Sequence, residues 1–126
     1  LNWHGGVQTT DSGFITVPLP PSTNARLGVS RGGFKYTTPK CKKWMSETER
    51  GLIEAFGNLA PISEYIYLDI WMVLPRSNAD CSNYLKVPLD SMQNAGLVTD
   101  DKYIVPRIQG VGHDAKNPSI VMRFVR

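Results

Sequence analysis

Cysteine is scarce in this chain: Cys41 and Cys81 are the only two, and neither has a second Cys or a His near it in sequence. This argues against a disulfide framework and against zinc-ligand spacing, so both are expected as reduced thiols in an intracellular protein. Histidine is equally sparse. His4 falls in an expected tail and His113 in an expected loop, and two unclustered imidazoles build no catalytic triad. Long apolar runs are missing as well. None reaches the roughly 18 residues of a membrane span. The first dozen residues have neither the basic start nor the apolar stretch of a secretory signal, and the opening Leu1 suggests processing or excision from a longer chain. No internal repeat or low-complexity tract is present.

What remains is the composition of a soluble globular domain: 126 residues, 41% hydrophobic and 20% charged. That length suits a single domain over residues 1–126, with residues 1–12 expected as a flexible tail. The net charge of +3 conceals a segregation. Residues 12–46 carry six basic side chains and no acid, residues 47–101 have a net charge of −6, and residues 102–126 one of +4. Such blocks can be ordinary solvated faces. They also suit a protein that grips phosphates with one surface and collects a cation with another.

Phe14–Leu19 reads as a first strand, closed by Pro20-Pro21. From Arg26 to Thr37 three glycines interrupt any periodicity, which predicts an exposed, mobile loop. Thr38-Pro39 is a helix start, and Trp44, Thr48, Leu52, Phe56 and Leu59 recur at helical spacing, so a helix is predicted over about 39–59. Lys40, Lys42 and Lys43 crowd its first turn, where the helix dipole disfavours cations. A bound phosphate would make them useful there, although exposed lysines on flexible stems need no such reason.

Tyr65–Leu74 alternates, with Ile66, Leu68, Ile70, Met72 and Leu74 on one side. On the other, Tyr67 and Trp71 could stack on bases or pack under a helix. A second helix is predicted over about 83–95, with Leu85, Leu89 and Met92 inward, Pro88 disturbing its start and Gly96 ending it. Tyr103–Gln109 and Ile120–Val125 read as strands joined by a hairpin loop, the first held to an edge or bulged by Pro106. The order β-α-β-α-β-β predicts an α/β (α+β) fold: a small mixed sheet covered by two helices.

The candidate chemistry lies in Asp80–Lys86, D-C-S-N-Y-L-K, followed by Asp90 and by Asp100-Asp101. Asn83, Lys86 and Asp90 are spaced i, i+3, i+7 and share one helical stripe. Each part has a plain explanation: Asp80 or Ser82 as an N-cap, Asp100-Asp101 as turn formers, Lys86 and Asp90 as an exposed pair. Carboxylates beside an amine are also what phosphodiester cleavage uses. Mg²⁺ takes a few hard oxygens and keeps waters, and a lysine offsets charge on the phosphorane oxygens.

Over most of its length the chain resembles the RusA-type Holliday-junction resolvases of bacteria and their phages. Residues 17–24, V-P-L-P-P-S-T-N, look like that family's strand ending in Pro-Pro-Ser and Asn. Residues 80–101, D-C-S-N-Y-L-K-V-P-L-D-S-M-Q-N-A-G-L-V-T-D-D, resemble its D-x-D-N-x-x-K motif followed by D-A-L, A-G and D-D, without a gap. The resemblance implies a crossover junction endodeoxyribonuclease that uses Mg²⁺, with Mn²⁺ as a substitute. It implies Asp80 and Asp101 as metal ligands with Asp100 beside them, Lys86 as the active-site lysine, and Asn83 and Asp90 in support. Arg26, Arg31, Lys35 and Lys42 would lie near DNA. Ser82 departs from the pattern, since the family has a second aspartate there, and a neutral hydroxyl should weaken metal binding unless Asp100, Asp90 or a water compensates.

A four-way junction needs two symmetric nicks, so a homodimer is expected, in the cytoplasm of a bacterial or phage-infected cell and on its nucleoid. Recognition should depend on branched shape and phosphates. A different class of protein, one that binds junctions but has lost cleavage through Ser82, is the rival. A nuclease acting equally on linear duplex is a third reading.

Overall fold

The computed structural model describes residues 2–4, 6–23, 27–33 and 35–126. In chain order these form β1 (Asn2–His4), β2 (Val7–Thr9), β3 (Ile15–Pro18), β4 (Leu27–Val29), β5 (Lys35–Thr37), α1 (Pro39–Phe56), β6 (Ile66–Leu74), α2 (Lys86–Asn94), β7 (Ile104–His113) and β8 (Ser119–Val125). Single 3₁₀ turns at Cys81–Tyr84 and Asp101–Tyr103 flank α2. A six-stranded mixed sheet runs β1-β2-β3-β8-β6-β7, and β4 and β5 make a separate two-stranded hairpin. The expected β-α-β-α-β-β core is present as β3-α1-β6-α2-β7-β8.

β6 organises the core because its alternation is strict. Ile66, Leu68, Ile70, Met72 and Leu74 are buried, and join Ile15 and Val17 of β3, Ile120 and Met122 of β8, Leu52 of α1 and Met92 of α2 in one cluster. Both helices therefore cover the same sheet face. The parallel pairing of β6 with β7 needs a crossover, and α2 supplies it. Replacing Leu68, which is wholly buried at the centre of this cluster, by Ala should cost about 2–5 kcal/mol. A urea titration reads this as a lowered midpoint at unchanged slope, and a shift within error would mean the site collapses freely.

The helix ends follow local chemistry. The Thr38 side chain accepts a hydrogen bond from the Cys41 N–H at 3.4 Å, and Pro39 at the first helical position lacks the donor that would go unpaired there. α1 stops at Phe56, so Leu59 lies beyond it and is exposed. In the second helical region Pro88, in the first turn of α2, has no N–H for the Tyr84 carbonyl, and the segment divides at Leu85 into the 3₁₀ turn and α2. Gly96, at φ +82°, ends it in a Schellman motif: Leu97 N–H reaches the Met92 carbonyl and Gly96 N–H that of Gln93, each at 3.0 Å.

Four expectations are corrected. Residues 2–4 and 6–9 are not a tail, since β1 pairs with β2 and β2 with β3, burying Val7 and Thr9; three-residue strands are too short to leave a periodic signal. The glycine-rich stretch is exposed but pairs as β4–β5, because its glycines make the turn, where Gly33 N–H reaches the Ser30 carbonyl at 2.9 Å. β7 and β8 are not a hairpin. They flank β6 on opposite sides, β7 parallel and β8 antiparallel, with β7 extending to His113. Tyr67 and Trp71 do not pack under a helix, for both helices lie on the other face. The reading of Pro106 holds in its first part: β7 is an edge strand, while Pro106 itself pairs in register with Leu68 and the pairing slips by one residue only later, after Ile70. Among the described residues no helix is long and apolar enough to cross a membrane.

Candidate active site

α2 projects Lys86, Asp90 and Gln93 along one stripe, at i, i+4 and i+7. Lys86 Nζ donates to Asp90 Oδ1 at 3.0 Å and to Asp101 Oδ2 at 3.3 Å. One ammonium thus joins the helix to the 3₁₀ turn that leads into β7. Gln93 fixes the other end of this contact, its Oε1 accepting the Asp101 backbone N–H at 2.8 Å. Asp101 is held through both main chain and side chain. Gln93 was not singled out in the sequence, although its place seven residues after Lys86 put it on the same stripe.

The two hydrogen bonds, that to Asp90 first, push the Lys86 pKa above its ordinary value, against a smaller effect of burial. With the folded-state value raised, the pairing is complete at all pH below the ordinary lysine value and is lost only as pH climbs through the raised one. The Lys86 side chain is half exposed, so it is also available to a ligand from solvent.

Asp80 and Ser82 form a second, adjoining unit in sequence. Asp80 Oδ1 accepts both the Ser82 N–H at 3.0 Å and the Ser82 hydroxyl at 2.9 Å, which caps the 3₁₀ turn over Cys81–Tyr84. Ser82 therefore serves Asp80 as a donor in this state. Asp100 caps the next turn in the same way, Oδ1 accepting the Lys102 N–H at 2.9 Å. The Asn83 carbonyl accepts the Thr23 hydroxyl at 2.9 Å, which ties the loop after β3 to the 3₁₀ turn; Thr23 too was missed. The plain roles foreseen for Asp80, Asp100 and the Lys86–Asp90 pair are all present. What the sequence did not define is the bridge from Lys86 to Asp101.

Among the expected DNA contacts, Arg26 lies outside the described residues. Arg31 is exposed in the turn of the β4–β5 hairpin, and Lys35 stands in β5. Lys42 is exposed near the start of α1, on a groove of about 580 Å³ that it shares with Thr37, Arg50 and Asn94 at the end of α2. That groove brings two basic residues of α1, Lys42 and Arg50, together with the acidic Glu49 and Glu54, beside the end of the helix that bears Lys86.

The family model for the endodeoxyribonuclease RusA matches residues 18–123. The chain belongs to the RusA family. The match begins inside β3 and ends inside β8, so it spans both helices, the Lys86–Asp101 bridge and the β4–β5 hairpin of this RusA-family chain. No curated protein matches it.

For a RusA-family nuclease the donor set is telling. Among the described residues no three His, Cys, Asp or Glu side chains are grouped to hold a metal ion. That speaks against a closed cage of protein ligands. Mg²⁺ asks for less, since one or two carboxylates, several waters and substrate phosphate oxygens complete its octahedron. The hard oxygens of Asp80, Asp100 and Asp101 suit it in kind.

Proposed function

We propose that this chain is a Mg²⁺-dependent endonuclease that resolves four-way DNA junctions by paired symmetric nicks, in recombination and repair. The observation carrying this reading is the Lys86 ammonium shared between Asp90 and Asp101, in a chain matched to an endodeoxyribonuclease family. Asp80 and Asp101, with Asp100 beside them, would hold Mg²⁺ or, in its place, Mn²⁺. The ion when bound supplies Lewis acidity and a water acidic enough to attack phosphorus near neutral pH.

The remaining work falls to side chains of the chain itself. Lys86 offsets negative charge on the phosphorane oxygens, and Asp90 and Asp101 keep its ammonium in place until the phosphate arrives. Gln93 sets the Asp101 main chain, and Asn83 is anchored by Thr23. Arg26, Arg31, Lys35 and Lys42 would grip backbone phosphates, which fixes orientation and reads shape, not sequence. Two symmetric cuts call for two copies, acting in the cytoplasm where the DNA lies.

One observation favours a second reading, a junction-binding protein without cleavage: both donors of Ser82 are spent on Asp80. Incubation of a synthetic four-way junction and a linear duplex with the protein in Mg²⁺ separates the readings. The nuclease reading expects nicks in the junction alone, abolished in Asp101→Asn while junction binding persists. Binding without nicks supports the rival, and equal cutting of both substrates makes the chain a general nuclease.

A further inference from the structure

Tyr65, 73% exposed, is the most exposed of the large apolar side chains among the described residues. A single exposed aromatic needs no explanation. This one is not single. Ile66 of β6 pairs in parallel register with Ile104 of β7, and both are buried. The residues just before them, Tyr65 and Tyr103, are thereby brought side by side and, by alternation, onto the opposite face. Their rings meet edge to face at 5.5 Å between centroids, and Lys102 Nζ lies 5.1 Å from the centroid of Tyr103.

The place of the pair matters as much as its composition. Tyr103 closes the 3₁₀ turn that Asp101 opens: its N–H donates to the Asp100 carbonyl at 3.2 Å, and the Lys102 N–H to Asp100 Oδ1 at 2.9 Å. One short turn therefore carries carboxylates of the candidate cleavage site and, two residues on from Asp101, an aromatic ring. β7 is an edge strand, which leaves the pair at the rim of the sheet. Other surface aromatics have their rings engaged. Arg107 stacks on Tyr67 at 4.0 Å, Trp71 and Phe14 tilt together at 5.7 Å, and a Cβ at Gly28 would lie 2.4 Å from the Tyr36 ring that fills its space. Charge agrees with an anionic partner. Lys102 is exposed beside the rings, Glu64 next to Tyr65 is neutralised by Arg126, and Asp101 by Lys86. An open aromatic ring with a cation next to it is how single-stranded nucleic acid is held, the base stacking on the ring and a backbone phosphate meeting the cation.

We infer that Tyr65 and Tyr103 form a stacking subsite for one nucleobase drawn out of the DNA beside the phosphate to be cut, with Lys102 on the adjoining backbone. That DNA is the substrate rests on the proposed function. A base inside a linear duplex must be unpaired and unstacked before it reaches the rings, whereas one at a branch point is already loosened. The subsite therefore favours branched DNA over linear, whatever the sequence, because every base has a face to stack.

The test is binding of the full chain, in chelator, to two single strands of about ten nucleotides, one oligothymidylate and one of the same length whose sugars carry no bases. The base-bearing strand should bind about 10-fold more tightly. Tyr65→Leu, an apolar change at an exposed position, should abolish that preference, and Tyr65→Trp should keep or increase it. A role in folding alone gives no such rescue by a ring. In Tyr65→Leu the affinity for linear duplex should stay within about twofold of the parent, while that for a four-way junction falls toward it. Tyr103 is half-buried, so the Tyr65 variants carry the test, with thermal melts to check their folding. Equal affinity of the parent for the two strands overturns the inference, as does a Tyr65→Leu variant that keeps the preference or weakens both strands alike. A base preference without any nicking in Mg²⁺ removes the nuclease reading and leaves the subsite standing; junction nicking without a base preference does the reverse.

Discussion

Lys86→Met should lower the rate of junction nicking by about 10²–10³-fold while changing junction affinity only a few-fold. The asymmetry follows from where the ammonium sits. It is one charge at the candidate cleavage point, whereas affinity is spread over many phosphate contacts and loses about one of them. The substitution has a second effect that separates it from a general loss of charge. Without Nζ, the Asp90 and Asp101 carboxylates lose their shared cation, while the Asp101 main chain stays tied to Gln93 and to the Ile104 N–H. Lys86→Arg keeps the charge but presents a planar fork where a compact ammonium bridged two oxygens, so it should recover part of the rate and not all. Single-turnover nicking with saturating protein is the measurement. A rate for Lys86→Met within threefold of the parent would place Lys86 outside the chemistry and leave its ion pairs a structural role.

The fold was legible where burial imposes a long, strict period. β6 announced itself through five alternate apolar residues, and α1 through Thr38-Pro39 and its inward stripe, because each must present one continuous face to the core. Gly96 was legible for a different reason: a positive φ at a helix end is a local requirement that only glycine meets cheaply. What could not be read was pairing between distant segments. β7 and β8 are adjacent in sequence and look like a hairpin, yet β6 takes both of its edges and separates them. Strands of three residues, such as β1 and β2, carry too few positions for any period to show. At the site, the i, i+4 pair Lys86–Asp90 followed from helical spacing alone. The bridge to Asp101 depends on how the chain returns after Gly96, fifteen residues from Lys86, and only the three-dimensional arrangement defines it.

Ser82→Asp should lower the Mg²⁺ concentration needed for half-maximal nicking by about 10-fold or more, and the hydrogen bonds around Asp80 explain why. In the present chain Ser82 gives Asp80 two donors on one oxygen, and these stabilise the carboxylate without any ion. An aspartate there keeps the backbone donor, removes the hydroxyl and adds a second anion close to the first. In chelator the pair repels, and stability should fall by about 0.5–1 kcal/mol. In Mg²⁺ the same repulsion is converted into affinity, because a cation bound between two carboxylates offsets both. The melting temperature of Ser82→Asp should therefore rise with added Mg²⁺ more steeply than that of the parent. A parent that binds junctions silently, beside a Ser82→Asp variant that nicks them, would establish the binding protein as the function of this chain. If neither the metal requirement nor the melting response changes, position 82 lies too far from the ion to matter, and Asp80 acts as the cap of its 3₁₀ turn and nothing more.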